Sequence, residues 1–108
     1  VALHEMAHAL WFEDIIPNAE QGFFPEEEKR RWNTEADKVI SAIRAGRETF
    51  FRAYAGTDAQ EFFAVSVEYF FEQPTAFKAA HPELYLLLCR LLRQDPLGTT
   101  LAVGADAP

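Results

Sequence analysis

Near the start of the chain stand His4-Glu5-Met6-Ala7-His8. Histidines four residues apart on a helix face the same way, so two imidazoles can grip one metal ion. The glutamate between them points at the same ion from one position along, where it can take a proton from a metal-activated water. The pattern therefore names a chemistry: zinc-assisted hydrolysis with a carboxylate as general base. A catalytic zinc usually takes three protein ligands and leaves one position to water. A third ligand must come from further along the chain.

The candidates for that ligand can be sorted. His81 is the only histidine left. It precedes Pro82 in an expected turn, where an exposed or capping role is the ordinary one. As a fourth ligand it would instead make the zinc structural. The stretch Gln60-Glu61-Phe62-Phe63-Ala64-Val65-Ser66-Val67-Glu68-Tyr69-Phe70-Phe71 is heavily apolar, yet it carries two carboxylates seven residues apart. Two helical turns put Glu61 and Glu68 on one face. A carboxylate in such surroundings must be paired, protonated or bound to a metal. Glu61 is read as the ligand, and Glu68 as an acceptor that orients a histidine N–H. Each has a plainer alternative: Glu61 as the partner of Asp58 in a helix capping box, Glu68 as half of a structural salt bridge. Tyr54 by itself reads as an ordinary core phenol, since three tyrosines and ten phenylalanines crowd the chain. The phenylalanine pairs at 23–24, 50–51, 62–63 and 70–71 read as core packing.

The elements that must position these groups are helices. Leu3, Ala7, Leu10 and Trp11 recur at helical spacing, which predicts a helix from Val1 to Ile16, ended before Pro17. A loop over Asn18–Gly22 follows. Pro25 before three glutamates marks a second start, and Trp32, Ala36, Val39, Ile40 and Ile43 form its apolar stripe. Gly46 is placed to be its left-handed cap. Residues 47–57 fit either a short helix or an extended connection. Asp58 opens a long aromatic helix that runs to about Gln73 and stops at Pro74. Pro74 and Pro82 each stand at a helix start, and the last helix spans Pro82–Gln94 with Asp95-Pro96 closing it. No strand and no repeat is expected.

Composition bounds the rest. With 108 residues, about half of them hydrophobic, the chain suffices for one domain with a real core. A net charge of −7 and no basic stripe argue against a nucleic-acid partner. No apolar run reaches transmembrane length and no signal-peptide pattern is visible, so no membrane partner is expected either. The lone Cys89 lies in a leucine-rich helix and reads as a buried thiol. A reducing cytoplasm agrees with that thiol and is the expected location. Residues 1–97 are read as one helical domain and residues 98–108, small and without period, as a flexible tail.

Taken together, several of these segments resemble a known family. They are His4-Glu5-x-x-His8, Tyr54, Glu61-Phe62-Phe63-Ala64-Val65, Glu68-Tyr69-Phe70-Phe71-Glu72 and Arg93-Gln94-Asp95-Pro96. The combination resembles the Mlc titration factor A family of zinc peptidases, over residues 1 to about 97. The tyrosine followed seven residues later by Glu-Phe-Phe-Ala also resembles the catalytic domain of anthrax lethal factor. The resemblance implies that His4 and His8 are zinc ligands, Glu5 the general base and Glu61 the third ligand. That choice places Glu61 ahead of Glu68. It implies further that Tyr54 faces the metal and helps the oxyanion or the leaving group. The implied fold is mainly α, the helical core of a zincin-like metallopeptidase.

The resemblance has gaps. Residues 9–24 depart from the familiar members, which carry an aspartate soon after the second histidine; substrate preference is therefore open. Such peptidases carry a region before the motif whose sheet edge pairs with substrate, and here the motif starts three residues from a non-Met N-terminus. That position is expected of a fragment lacking the N-terminal sheet region. The implied activity is zinc-dependent hydrolysis of a peptide or amide bond in a peptide or protein substrate. The competing class is a binding module that sequesters a transcriptional repressor, with little or no catalysis. A third reading has this chain bind metal and cleave nothing, or dimerise to cover an exposed face.

Overall fold

Helix boundaries follow from the residues that start and stop them. A computed structural model describes residues 2–11 and 26–98. Five α-helices lie among them: α1 (Ala2–Leu10), α2 (Glu26–Arg44), α3 (Ala59–Glu72), α4 (Pro74–Ala80) and α5 (Pro82–Leu92). No strand occurs among the described residues. The protein is mainly α, as expected. The predicted end of the first helix, the loop over Asn18–Gly22, the Phe23–Phe24 pair and residues 99–108 of the tail lie outside the described residues.

The three glutamates that open α2 stand where the helix dipole is positive, and the prolines of α4 and α5 occupy first-turn positions, where no intrahelical N–H is missed. Gly46 takes φ 76°, the predicted left-handed cap. Its N–H bonds to the Ile43 carbonyl at 3.0 Å and that of Arg47 to Ala42 at 2.9 Å, the paired bonds of a Schellman motif. The last helix is shorter than expected. Arg93 adopts φ 56°, so α5 stops at Leu92 and not at Gln94. The segment after it is tied back by Tyr85, whose hydroxyl donates to Asp95 Oδ1 at 2.7 Å and accepts the Leu97 N–H at 3.2 Å. Burial, with this bond to Asp95, pushes the Tyr85 phenol far up. Cys89 is buried as expected, and burial pushes its thiol up to about 11.

Helix α3 is the centre of the packing. Phe62 to Val67 and Phe70 are all buried, so the helix is covered on nearly every side. Helix α1 lies along it through Ala7 and Trp11, with the Trp11 and Phe63 rings 6.0 Å apart. Trp32 of α2 meets Phe62 and Phe63, and α2 also packs on α5, where Arg31 reaches Glu83 at 2.6 Å. The phenylalanine pairs among the described residues join this core, Phe51, Phe62, Phe63 and Phe70 fully and Phe50 and Phe71 in part.

The ambiguous connection resolves into a single 3-10 turn, Ala53–Gly56, inside otherwise irregular chain. Arg44, at the end of α2, holds it: Nε donates to the Gly56 carbonyl at 2.7 Å and an Nη to that of Thr57 at 2.9 Å. Gly56 is there because nothing larger fits. A Cβ on it would stand 2.8 Å from Ile43 Cγ2, on a stiff β-branched side chain. Gly56→Ala should therefore lower unfolding free energy by about 1–3 kcal/mol. Urea denaturation of the two proteins measures this, and an unchanged midpoint would show that the turn has slack.

Candidate metal centre

Two helices build the site. On α1, His4 and His8 stand one turn apart, ring centroids separated by 4.8 Å. On α3, the Asp58 side chain caps the helix by accepting the Glu61 N–H at 2.8 Å. The backbone of Glu61 thus takes the cap while its carboxylate turns towards α1. Its Oε1 lies 3.1 Å from His4 Nε2 and 3.1 Å from His8 Nε2. Capping and metal-facing roles for this residue are compatible, since they use different atoms.

Glu68, two turns further on, sits behind His4. Its Oε1 is 3.4 Å from His4 Nδ1 and accepts from Arg52 at 2.8 Å. The two sequence readings of Glu68, salt bridge and histidine neighbour, thus describe one carboxylate. Tyr54 is not core: it is 47% exposed, on the 3-10 turn, its ring 6.3 Å from that of His4. A hydrogen bond to Glu61 pushes its phenol above the usual range. Glu5 is exposed on α1, one position past His4, and lies outside the cluster of His4, His8 and Glu61.

His81 is not exposed, but it does stand at the expected cap, between α4 and α5: its backbone N–H donates to the Phe77 carbonyl at 2.7 Å, while its side chain makes no cap bond. It is half-buried, Nε2 2.9 Å from Glu48 Oε1 and stacked on Phe51 at 5.1 Å. Its expected turn position is right, but the aromatic floor and Glu48 claim its ring. Two neighbours of the cluster escaped the sequence reading, Arg52 and Gln60. The Gln60 amide lies 3.0 Å from His8 Nδ1. Only its place beside Glu61 in the first turn of α3 hinted at it. An apolar cavity of about 720 Å³, between Leu3, Met6 and Leu10 of α1 and residues 91–94, holds none of the cluster.

The donor set fits a zinc-like ion. One atom each from His4, His8 and Glu61 lies within 4.8 Å of the others. Ligands about 2.0–2.1 Å from a tetrahedral zinc stand about 3.3 Å apart, close to the spacing of Glu61 Oε1 from either imidazole. Protons point the same way. A neutral His4 has one N–H but a carboxylate at each ring nitrogen, Glu61 at Nε2 and Glu68 at Nδ1, so a cation on Nε2 would satisfy the contact that a single proton leaves unmatched.

Comparison with known proteins agrees with this chemistry. Residues 1–93 match the family described as glucose-regulated metallo-peptidase M90. The chain belongs to this family. Proteins named Mlc titration factor A are similar to it: one from Salmonella paratyphi A is 32% identical over 96% of this chain and 41% of its own length. Those of Escherichia coli K12 and Shigella boydii are 32% identical over 88% of this chain and 38% of theirs. The chain thus spans about two fifths of these relatives. A family of metallo-peptidases implies a metal ion, and the cluster on α1 and α3 is a possible site for it.

The two carboxylates make stability depend on pH. Burial raises the pKa of Glu61, but hydrogen bonds from His8, Tyr54 and His4 outweigh it and leave the carboxyl below its ordinary 4.5. Burial likewise raises the pKa of Glu68, but hydrogen bonds from Arg52 and then His4 outweigh it and leave that carboxyl below its ordinary value too. A folded pKa below the unfolded one contributes stability that is present above 4.5 and lost as pH falls through the lower, folded value. The Tm of metal-free protein should fall as pH drops from about 5 to about 3, and less steeply in Glu68→Gln. Equal slopes would remove Glu68 from the account.

Proposed function

We propose that His4, His8 and Glu61 hold a zinc ion and that the protein is a zinc-dependent peptidase. The observation that carries this reading is the Glu61 oxygen placed 3.1 Å from both imidazole Nε2 atoms. A bound zinc supplies a Lewis acid for the substrate carbonyl and a water acidic enough to lose its proton near neutral pH. The Glu5 carboxylate accepts that proton and passes it to the leaving amine. Its exposure leaves it free to meet both water and substrate. Tyr54 donates its phenolic proton in a hydrogen bond to the oxyanion. A phenol is protonated at neutral pH, so that proton is available. Glu68, held by Arg52, fixes His4 in the tautomer that leaves Nε2 free for the metal. The substrate class is a peptide or protein, and the place of action the cytoplasm.

A second reading rests on the name of the relatives, Mlc titration factor A. In it the chain acts by contact with a transcriptional regulator, and the metal holds the helices together. The readings differ at Glu5, which the second leaves idle.

Metal analysis and peptide hydrolysis separate them. Wild type should carry one equivalent of zinc and Glu61→Ala should lose it. Glu5→Gln should keep zinc and lose hydrolysis by about a hundredfold or more. Undiminished hydrolysis in Glu5→Gln would overturn the mechanism, and zinc retained in Glu61→Ala would overturn the ligand set.

A further inference from the structure

We infer that Gln60 is a positioning residue for His8, able to serve the imidazole in both of its neutral tautomers, so that the site can load a metal without repacking. The inference rests on the proposal that His8 binds the metal through Nε2.

A neutral imidazole carries one N–H, and the partner of each nitrogen decides which. At His8 the partners are Glu61 Oε1, 3.1 Å from Nε2, and the Gln60 Nε2 amide, 3.0 Å from Nδ1. The amide –NH2 donates to Nδ1. The ring proton then sits on Nε2 and is donated to Glu61. At His8 each donor then meets an acceptor without a metal.

A metal on Nε2 requires the other tautomer. Nε2 must give up its proton and offer its lone pair, and the remaining proton stands on Nδ1 and needs an acceptor. An –NH2 group cannot accept. Turning the carboxamide by about 180° puts the Gln60 oxygen where its nitrogen stood, and the two ends are nearly the same size. The amide then accepts from Nδ1–H, and no other side chain moves.

The partner of His4 lacks this freedom. A carboxylate only accepts, so Glu68 is ready without turning for the Nδ1–H that a metal on Nε2 requires, and Arg52 keeps it charged and in place. The two histidines are therefore prepared differently. At His4 an acceptor for the Nδ1–H already stands in place, while at His8 Gln60 has to turn, and that turn is what lets His8 convert without leaving an N–H or a lone pair unmatched.

The experiment uses the full chain with zinc as the only added ligand. Zinc affinity is read by competition with a chromophoric chelator, and the His8 tautomer from two-bond proton–nitrogen NMR correlations. In wild type, His8 should be the Nε2–H form without zinc and the Nδ1–H form with it. Gln60→Leu, which removes donor and acceptor together, should weaken zinc binding about 10–100-fold. Gln60→Glu, which can only accept, should bind zinc at least as tightly as wild type. A merely structural role for Gln60 would harm both variants alike. Affinity unchanged in Gln60→Leu, or a loaded His8 that keeps its Nε2–H, overturns the inference. The wild-type spectra decide the second point even if a variant fails to fold. Failure of the metal-centre reading looks different: Glu61→Ala would then bind zinc as wild type does.

Discussion

One contact between two helices carries the site: the Glu61 carboxylate set against the two imidazoles of α1. A carboxylate so placed is costly to bury and gains only if its neighbours supply protons or positive charge. Hydrogen bonds from His8, Tyr54 and His4 do so, and they hold its pKa below the ordinary value against the opposing effect of burial. The rest of the fold can be understood as what keeps that contact in register. Helix α3 is buried nearly all round and cannot rotate, and Asp58 fixes where it starts. Helix α1 is held against it by Ala7 and Trp11, on the side of the helix that also carries the histidines. Apolar packing and metal-facing chemistry therefore use the same interface.

How far this could be read in the sequence follows the range of the interactions. Local signals were legible. The histidine pair, the seven-residue step from Glu61 to Glu68, the Gly46 cap and the prolines that open α4 and α5 all act within two turns of their own position. Arg93 was not, because nothing in its side chain announces a left-handed residue; the end of α5 is set by Tyr85 drawing Asp95 and Leu97 back onto the helix. The turn at Ala53–Gly56 was ambiguous for a similar reason. Its conformation is imposed by Arg44, which has to arrive from the end of another helix.

The site divides along the same line. That Glu61 faces the histidines could be expected from its type and place, and from the family resemblance. That Glu68 serves His4 and Arg52 together could not, since the two roles were competing explanations of one residue. Tyr54 shows the reverse case. Composition argued for a core phenol, and the resemblance for a residue at the metal; its exposure and its bond to Glu61 disagree with the first. His81 was sorted out of the site on its turn position alone. The physical reason is more specific: Phe51 and Glu48 already occupy the ring's face and its Nε2.

Exposure across the cluster has a direction, and that direction bears on the proposed chemistry. Side-chain exposure falls from 31% at His8 through 23% at His4 to 15% at Glu61 and 13% at Glu68. Glu5 and Tyr54 are exposed. Groups that only hold or orient gain from burial, because a lower local dielectric strengthens each ion pair and hydrogen bond they make. Groups that exchange protons with water or touch substrate need open space. The gradient therefore sets Glu68 and Glu61 on the inner side and Glu5 and Tyr54 on the outer one, while Arg52, 47% exposed, reaches in to Glu68 from the surface. His8 stands at the outer edge of the holding set, nearest to solvent. That is where a hydrated ion would arrive, and it is the histidine whose second nitrogen meets an amide able to accept or donate.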